Sequence, residues 1–149
     1  MKNLFDAARV EEVKQRIARL RPDSQRQWGK MNAPQAVAHC SRGLELALGN
    51  LRPPRVLLGR IMGQIKPKVF ENDEPLRGNT PTVKGLVIQD ERDLAKERGL
   101  LYGMIDRFVA AGPKGCTTHP HSFFGPLTPQ EWAILMYKHL DHHLRQFGV

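Results

Sequence analysis

The chain has 149 residues, 40% hydrophobic and 26% charged, with a net charge of +8 and a pI near 9.9. These values predict one globular domain over 1–149 and exclude a disordered or fibrous chain. No apolar run reaches bilayer length, and Met1–Asp6 lacks a signal core, so a cytoplasmic protein is expected. Cys40 and Cys116 lack zinc-finger spacing and read as reduced thiols.

In chain order, Asp6 is placed to cap a first helix reaching about Leu20. Val10, Val13, Ile17 and Leu20 repeat at three- and four-residue steps on one face. Arg21-Pro22-Asp23-Ser24 ends it, and Trp28 in the following linker reads as a packing anchor. Asn32 caps a second helix with Pro34 in its first turn. Its inward face, Ala36, Cys40, Gly43, Leu46 and Ala47, is made mostly of small residues, with His39 at one edge. A glycine inside a helix costs about 1 kcal/mol relative to alanine. Gly43 therefore marks a need for space, for a neighbouring helix or for a ligand near His39. Gly49-Asn50 stops the helix.

From Arg52 to Gln89 the pattern changes. Arg52, Arg55, Arg60, Lys66 and Lys68 are the ionisable side chains between Leu46 and Phe70, a stretch able to attract phosphate. No aromatic residues are interleaved as a stacking platform and no recognition module appears, so a basic surface is favoured over nucleic-acid binding. Pro53-Pro54 opens a short apolar helix over Val56–Met62, and Thr82–Ile88 is an extended candidate with no partner strand. The span reads as a crossover covering one side of a helical bundle, a kind of connection that often serves as a functional lid.

Asp90 is the expected cap of a third helix, with Glu91 and Asp93 in its first turn. Its stripe runs through Leu94, Leu101, Met104, Ile105, Phe108 and Val109, and Gly112-Pro113 ends it. A loop bearing His119 and His121 leads to Thr128-Pro129-Gln130-Glu131, a capping box with proline at the first helical position. In this last helix Trp132, Leu135, Met136, Leu140 and Phe147 share one side with His139 and His143. Lys138 and Asp141 point away, and His142 lies at the edge. Four amphipathic helices with one long link make an all-α four-helix bundle the economical fold.

Imidazoles four residues apart on a helix stand roughly 5–6 Å apart at Cβ and can share one ion. If the second helix faces the fourth, His39 joins His139 and His143 as a third nitrogen. Such a set suits a divalent transition metal (Zn, Ni, Fe or Co) and leaves a coordination position open, which favours chemistry over a structural role. His142 competes with His143 through its own three-residue spacing from His139, but the helical period favours His143. His119 is a candidate group beside the metal, whereas His121 reads as a surface residue and Cys40 as core.

The residues also carry a resemblance. Trp28-Gly29-Lys30-Met31, Ala38-His39-Cys40, Phe124 to Trp132, and His139-x-x-x-His143 with its His142-His143 doublet are similar to the DinB/YfiT-like superfamily of bacterial bundle proteins. The resemblance spans nearly the whole chain. It implies an up-down-down-up bundle, a long crossover between the second and third helices, and a divalent metal on His39, His139 and His143. Characterised relatives include metal-dependent transferases and isomerases that use low-molecular-weight thiols, and many are dimers. The reading is thus a metal-dependent enzyme, a thiol-dependent transferase or a hydrolase, acting on a small molecule. The alternative is a non-enzymatic, stress-related binding protein whose histidine cluster is structural or vestigial.

Overall fold

The computed structural model describes residues 1–57, 59 and 66–149. Its helices are α1 (Ala7–Ala18), α2 (Ala33–Ala47), α3 (Lys66–Phe70), α4 (Leu94–Gly115) and α5 (Pro129–Gln146), with a 3-10 turn at Lys84–Leu86. Among the described residues the only β pairing is an isolated bridge between His121 and Gly125. Most of the expected helix over Val56–Met62 lies outside the described residues.

Local chemistry sets the helix ends. Asp6 accepts from the Ala8 N–H at 2.9 Å to start α1. Asn32 and Gln35 form a reciprocal capping box on α2, and Thr128 and Glu131 form another on α5. The third long helix differs from expectation. Asp93, not Asp90, is the cap, accepting from Lys96 N at 2.8 Å. The Asp90 carboxylate instead pairs with Arg92 at 2.9 Å, and the Asp90 carbonyl accepts from Gln35 Nε2 at 3.0 Å. At the other end of α4, Gly112 adopts φ 60°, a left-handed conformation that breaks the helical path before Pro113.

The four long helices bury a shared core. α2 packs on α4 and α5, and α1 packs on the same two helices. Val13 and Ile17 from α1, Leu44 from α2, Ile105 and Phe108 from α4, and Trp132 and Leu140 from α5 are all essentially inaccessible. Each such side chain contributes about 1.5–3 kcal/mol through burial. Phe5 stacks on Phe108 with ring centroids 5.3 Å apart, closing the end near the N-terminus.

α5 is covered on more than one side, which overturns its expected outward face. Ile134, Tyr137 and Lys138 are buried together with the apolar stripe. The covering element is the crossover: α3 packs on α5, and Lys138 Nζ donates to the carbonyls of Val69 at 2.6 Å and Asn72 at 2.7 Å. A lysine at such a position is tolerated because its ammonium finds fixed acceptors. Of the basic stretch, Lys66 is engaged with Glu131 at 2.9 Å and with the Pro126 carbonyl at 2.9 Å. The segment expected to be extended after Thr82 instead turns at Lys84–Leu86 and packs against α2.

Candidate metal centre

α2 and α5 bring His39, His139 and His143 together. One ligand nitrogen from each lies within 4.8 Å of the others. The ring centroids form a nearly equilateral triangle, 4.8, 4.9 and 4.9 Å on its sides, with planes inclined by 75–84°. Zn–N bonds of about 2.0–2.1 Å imply nitrogen separations of about 3.3 Å in a tetrahedral site. His39 Nε2 and His139 Nε2, at 2.9 Å, are slightly closer than that. That pair needs only a small ring movement to share an ion, and all three ligand nitrogens lie within 4.8 Å of one another.

Neighbouring groups fix which nitrogen faces the centre. His39 Nδ1–H donates to the Leu86 carbonyl at 2.7 Å, so its Nε2 carries a lone pair. That carbonyl is supplied by the 3-10 turn of the crossover. His143 Nδ1–H donates to Gln146 Oε1 at 2.8 Å, and Gln146 Nε2 in turn donates to the Trp28 carbonyl at 2.7 Å. Ligating histidines commonly have their second nitrogen held in this way by a carbonyl or carboxylate. Between the rings, His139 Nε2–H donates to His39 Nε2, and ligation through that nitrogen would require the proton to move to His139 Nδ1.

Gly43 makes room for the third ring. A Cβ at this position would stand 2.7 Å from His139 Nδ1 and 2.8 Å from Cε1. The space inferred from the sequence is thus taken by a histidine ring reaching across from α5.

Burial keeps the rings uncharged. Desolvation lowers the His39 pKa, opposed by its bond to Leu86, and lowers that of His139 well below the usual imidazole range. His143 is pushed down to about 3, mainly by desolvation and then by the neighbouring His39. Neutral imidazole is the form that binds metal. His39 is buried whereas His139 is half-buried. Two cavities adjoin the triad: one of about 310 Å³ bordered by Trp28, His142 and the crossover, and one of about 100 Å³ with largely apolar walls. Among the described residues no carboxylate lines either.

The remaining histidines have other surroundings. His142 accepts from Trp28 Nε1 and donates to the Leu76 carbonyl, both at 3.4 Å, tying the linker and crossover to α5. The indole also lies against Gly78, where a Cβ would be 3.3 Å from the ring, so Trp28 packs on the crossover. His119 lies away from the triad cavities and donates from Nε2 to the Pro53 carbonyl at 3.0 Å, which anchors its loop. His121, expected at the surface, lines the smaller cavity with His39 and His139, and desolvation lowers its pKa to about 4. Its only sequence signal was membership of an aromatic-rich loop entering α5. Cys40 is buried and desolvation raises its thiol pKa, as befits a core residue.

Residues 2–148 match the model of a family described as protein of unknown function (DUF1569), and the chain belongs to that family. Comparisons with curated proteins and with solved structures gave no significant match.

Proposed function

We propose that this DUF1569 protein is a divalent-metal-dependent enzyme acting on a small molecule at an open three-histidine site, with water or a low-molecular-weight thiol at the open position. The observation that carries this reading is the convergence of three neutral imidazoles, two of them oriented by acceptors at their outer nitrogens. Bound zinc, nickel or iron would supply Lewis acidity and lower the pKa of coordinated water or thiol. The chain's own contribution is to keep the rings neutral, hold their orientation, and provide a cavity that, among the described residues, has no competing carboxylate. Leu86, Leu135 and Met136 contribute apolar walls to the smaller cavity.

The mutual packing of α1, α2, α4 and α5 supports an up-down-down-up four-helix bundle, as does the resemblance to the DinB/YfiT-like superfamily. A single cytoplasmic domain that forms a homodimer completes the reading. Among the described residues no helix is long and apolar enough to cross a membrane.

Elemental analysis of untagged protein tests the site. Wild type is expected to carry about one transition-metal ion per chain, and His139→Ala to lose it while remaining helical. Failure of the wild type to bind any transition metal tightly would remove the basis for the reading. A screen pairing small thiols with electrophiles then tests the transferase chemistry. The 2.9 Å contact between His39 and His139 favours one competing reading, a purely structural cluster. In that case, replacing all three histidines by apolar residues of similar size raises stability, whereas for a metal site it lowers the stability of the loaded protein.

A further inference from the structure

His121 has a geometry that the metal-ligand triad does not use. It sits at the start of a tight loop closed by reciprocal backbone bonds with Gly125, 2.8 and 3.0 Å long. Gly125 adopts φ 71°, which only glycine takes without strain. Inside this loop the backbone N–H groups of Phe123 and Phe124 both point at His121 Nδ1, at 3.1 and 3.3 Å. The ring stacks on Phe124 with centroids 5.1 Å apart and presents an edge contact to Trp132 at 5.6 Å.

Two donors on Nδ1 require a lone pair there, so the single proton of the neutral ring resides on Nε2. Among the described residues that N–H has no acceptor, whereas His39, His119, His142 and His143 each hold a ring N–H on a carbonyl oxygen and His139 donates to His39. The same ring lines the cavity of about 100 Å³ shared with His39 and His139. The other walls are mainly apolar, including Leu46, Leu86, Phe123 and Leu135. A fixed neutral donor on a largely apolar pocket that two of the three potential metal ligands also line is suited to one kind of group, a hydrogen-bond acceptor without a proton to offer.

We propose that His121 Nε2–H is the hydrogen-bond donor that orients a carbonyl or carboxylate oxygen of a small, otherwise apolar substrate beside the three-histidine site. The inference rests on the metal-enzyme reading and deepens it by naming the class of substrate. The thiol or water of that reading occupies the open position, and the oxygen-bearing compound lies against His121. A cationic substrate is disfavoured because, among the described residues, neither cavity beside the triad has a carboxylate in its wall. His121 acts as a donor, and the two loop N–H groups at Nδ1 oppose its service as a proton-accepting base.

The test uses cobalt-loaded full-length protein, with ligand binding followed through the visible cobalt spectrum. The probes are isobutyrate, isobutyramide and 2-propanethiol, which share one apolar body and differ in the acceptor oxygen. Two variants separate the donor from the loop. His121→Phe preserves the aromatic stack. His121→Asn places an amide oxygen where Nδ1 was, so that the loop bonds survive while the Nε2 donor is lost.

Both variants are expected to bind cobalt stoichiometrically and to bind at least one oxygen probe about tenfold more weakly, with 2-propanethiol unchanged. Loss confined to isobutyrate identifies a carboxylate substrate, and loss for both oxygen probes identifies a carbonyl acceptor in general. Unchanged affinity for both oxygen probes, an equal loss for the thiol, or no binding of the oxygen probes to cobalt-loaded wild type would overturn the proposal alone. Failure of wild type to take up cobalt would overturn the metal reading and this inference with it.

Discussion

The two buried flanks of α5 handle polar side chains differently. On the crossover flank, Lys138 donates to the Val69 and Asn72 carbonyls, and His142 donates to the Leu76 carbonyl. Those partners are backbone atoms, so the side chains act as ties between segments. On the α2 flank, His143 has its outer nitrogen tied to Gln146, and across the gap His39 has its own tied to Leu86. Their inner nitrogens and that of His139 converge on one another. A buried polar group with a separate protein partner at each polar atom, as His142 has in Trp28 and Leu76, is structurally satisfied, whereas a set whose remaining nitrogens converge on one another is suited to a shared ion. Adjacent residues His142 and His143 fall on opposite sides of that distinction.

Substitutions on the two flanks sharpen the contrast. The largest stability effect is expected at Lys138. Lys138→Met leaves the two carbonyls without their charged donor and is expected to lower unfolding free energy by about 2–3 kcal/mol. Metal stoichiometry should not change. Chemical denaturation together with elemental analysis checks both halves, and loss of metal in this variant would erase the distinction between the flanks.

Acid should act chiefly through the α2 flank. His39, His139 and His143 are held neutral by burial in the native state, and His121 beside them likewise. An unfolded chain protonates its histidines near about 6.5. Below that pH the unfolded state binds more protons, so stability falls with falling pH. The loss should continue until the native rings also titrate, near about 4 for His121 and about 3 for His143. Metal-free protein is expected to lose at least about 2 kcal/mol between pH 7 and pH 5 in urea titrations. A flat profile would contradict the neutral, desolvated triad.

Gly43→Ala adds a methyl group 2.7 Å from His139 Nδ1 and forces that ring to move. Metal affinity is expected to fall about 10–100-fold, as when a ligand's orientation is disturbed, with the helical circular dichroism signal retained. Competition with a chromogenic chelator measures the change. The smallest effect is expected for His142→Phe. Its two hydrogen bonds are long, at 3.4 Å, and their loss should lower stability by less than about 1 kcal/mol while leaving metal affinity intact. The same substitution at His143 should abolish tight binding, so neighbouring residues provide the closest control.

Much of this arrangement is legible in the amino-acid sequence because helices write their contacts at a fixed period. The cap at Asn32, the capping box at Thr128, the four-residue step from His139 to His143, and the space at Gly43 all follow from local rules. Lys138 and His121 do not. A periodic reading assigns an outward arc to every amphipathic helix, but α5 is covered by the crossover as well, and its outward lysine meets carbonyls there. His121 gains its place from a loop closed by backbone bonds, and loops carry no period from which direction can be inferred. The Leu86 carbonyl was equally hidden, because the extended pattern around it gives way to a 3-10 turn packed on α2. The shift of the α4 cap from Asp90 to Asp93 has a simpler cause: several acids compete, and the Arg92 pair engages the first.

X-ray absorption at the metal edge of the purified, metal-loaded protein tests the central claim most directly. The predicted spectrum has three imidazole nitrogens at about 2.0–2.1 Å, plus one light ligand that is replaced by sulfur when a small thiol is added. A shell of four protein ligands that a thiol leaves unchanged, or one with fewer than three imidazoles, would contradict an open three-histidine centre.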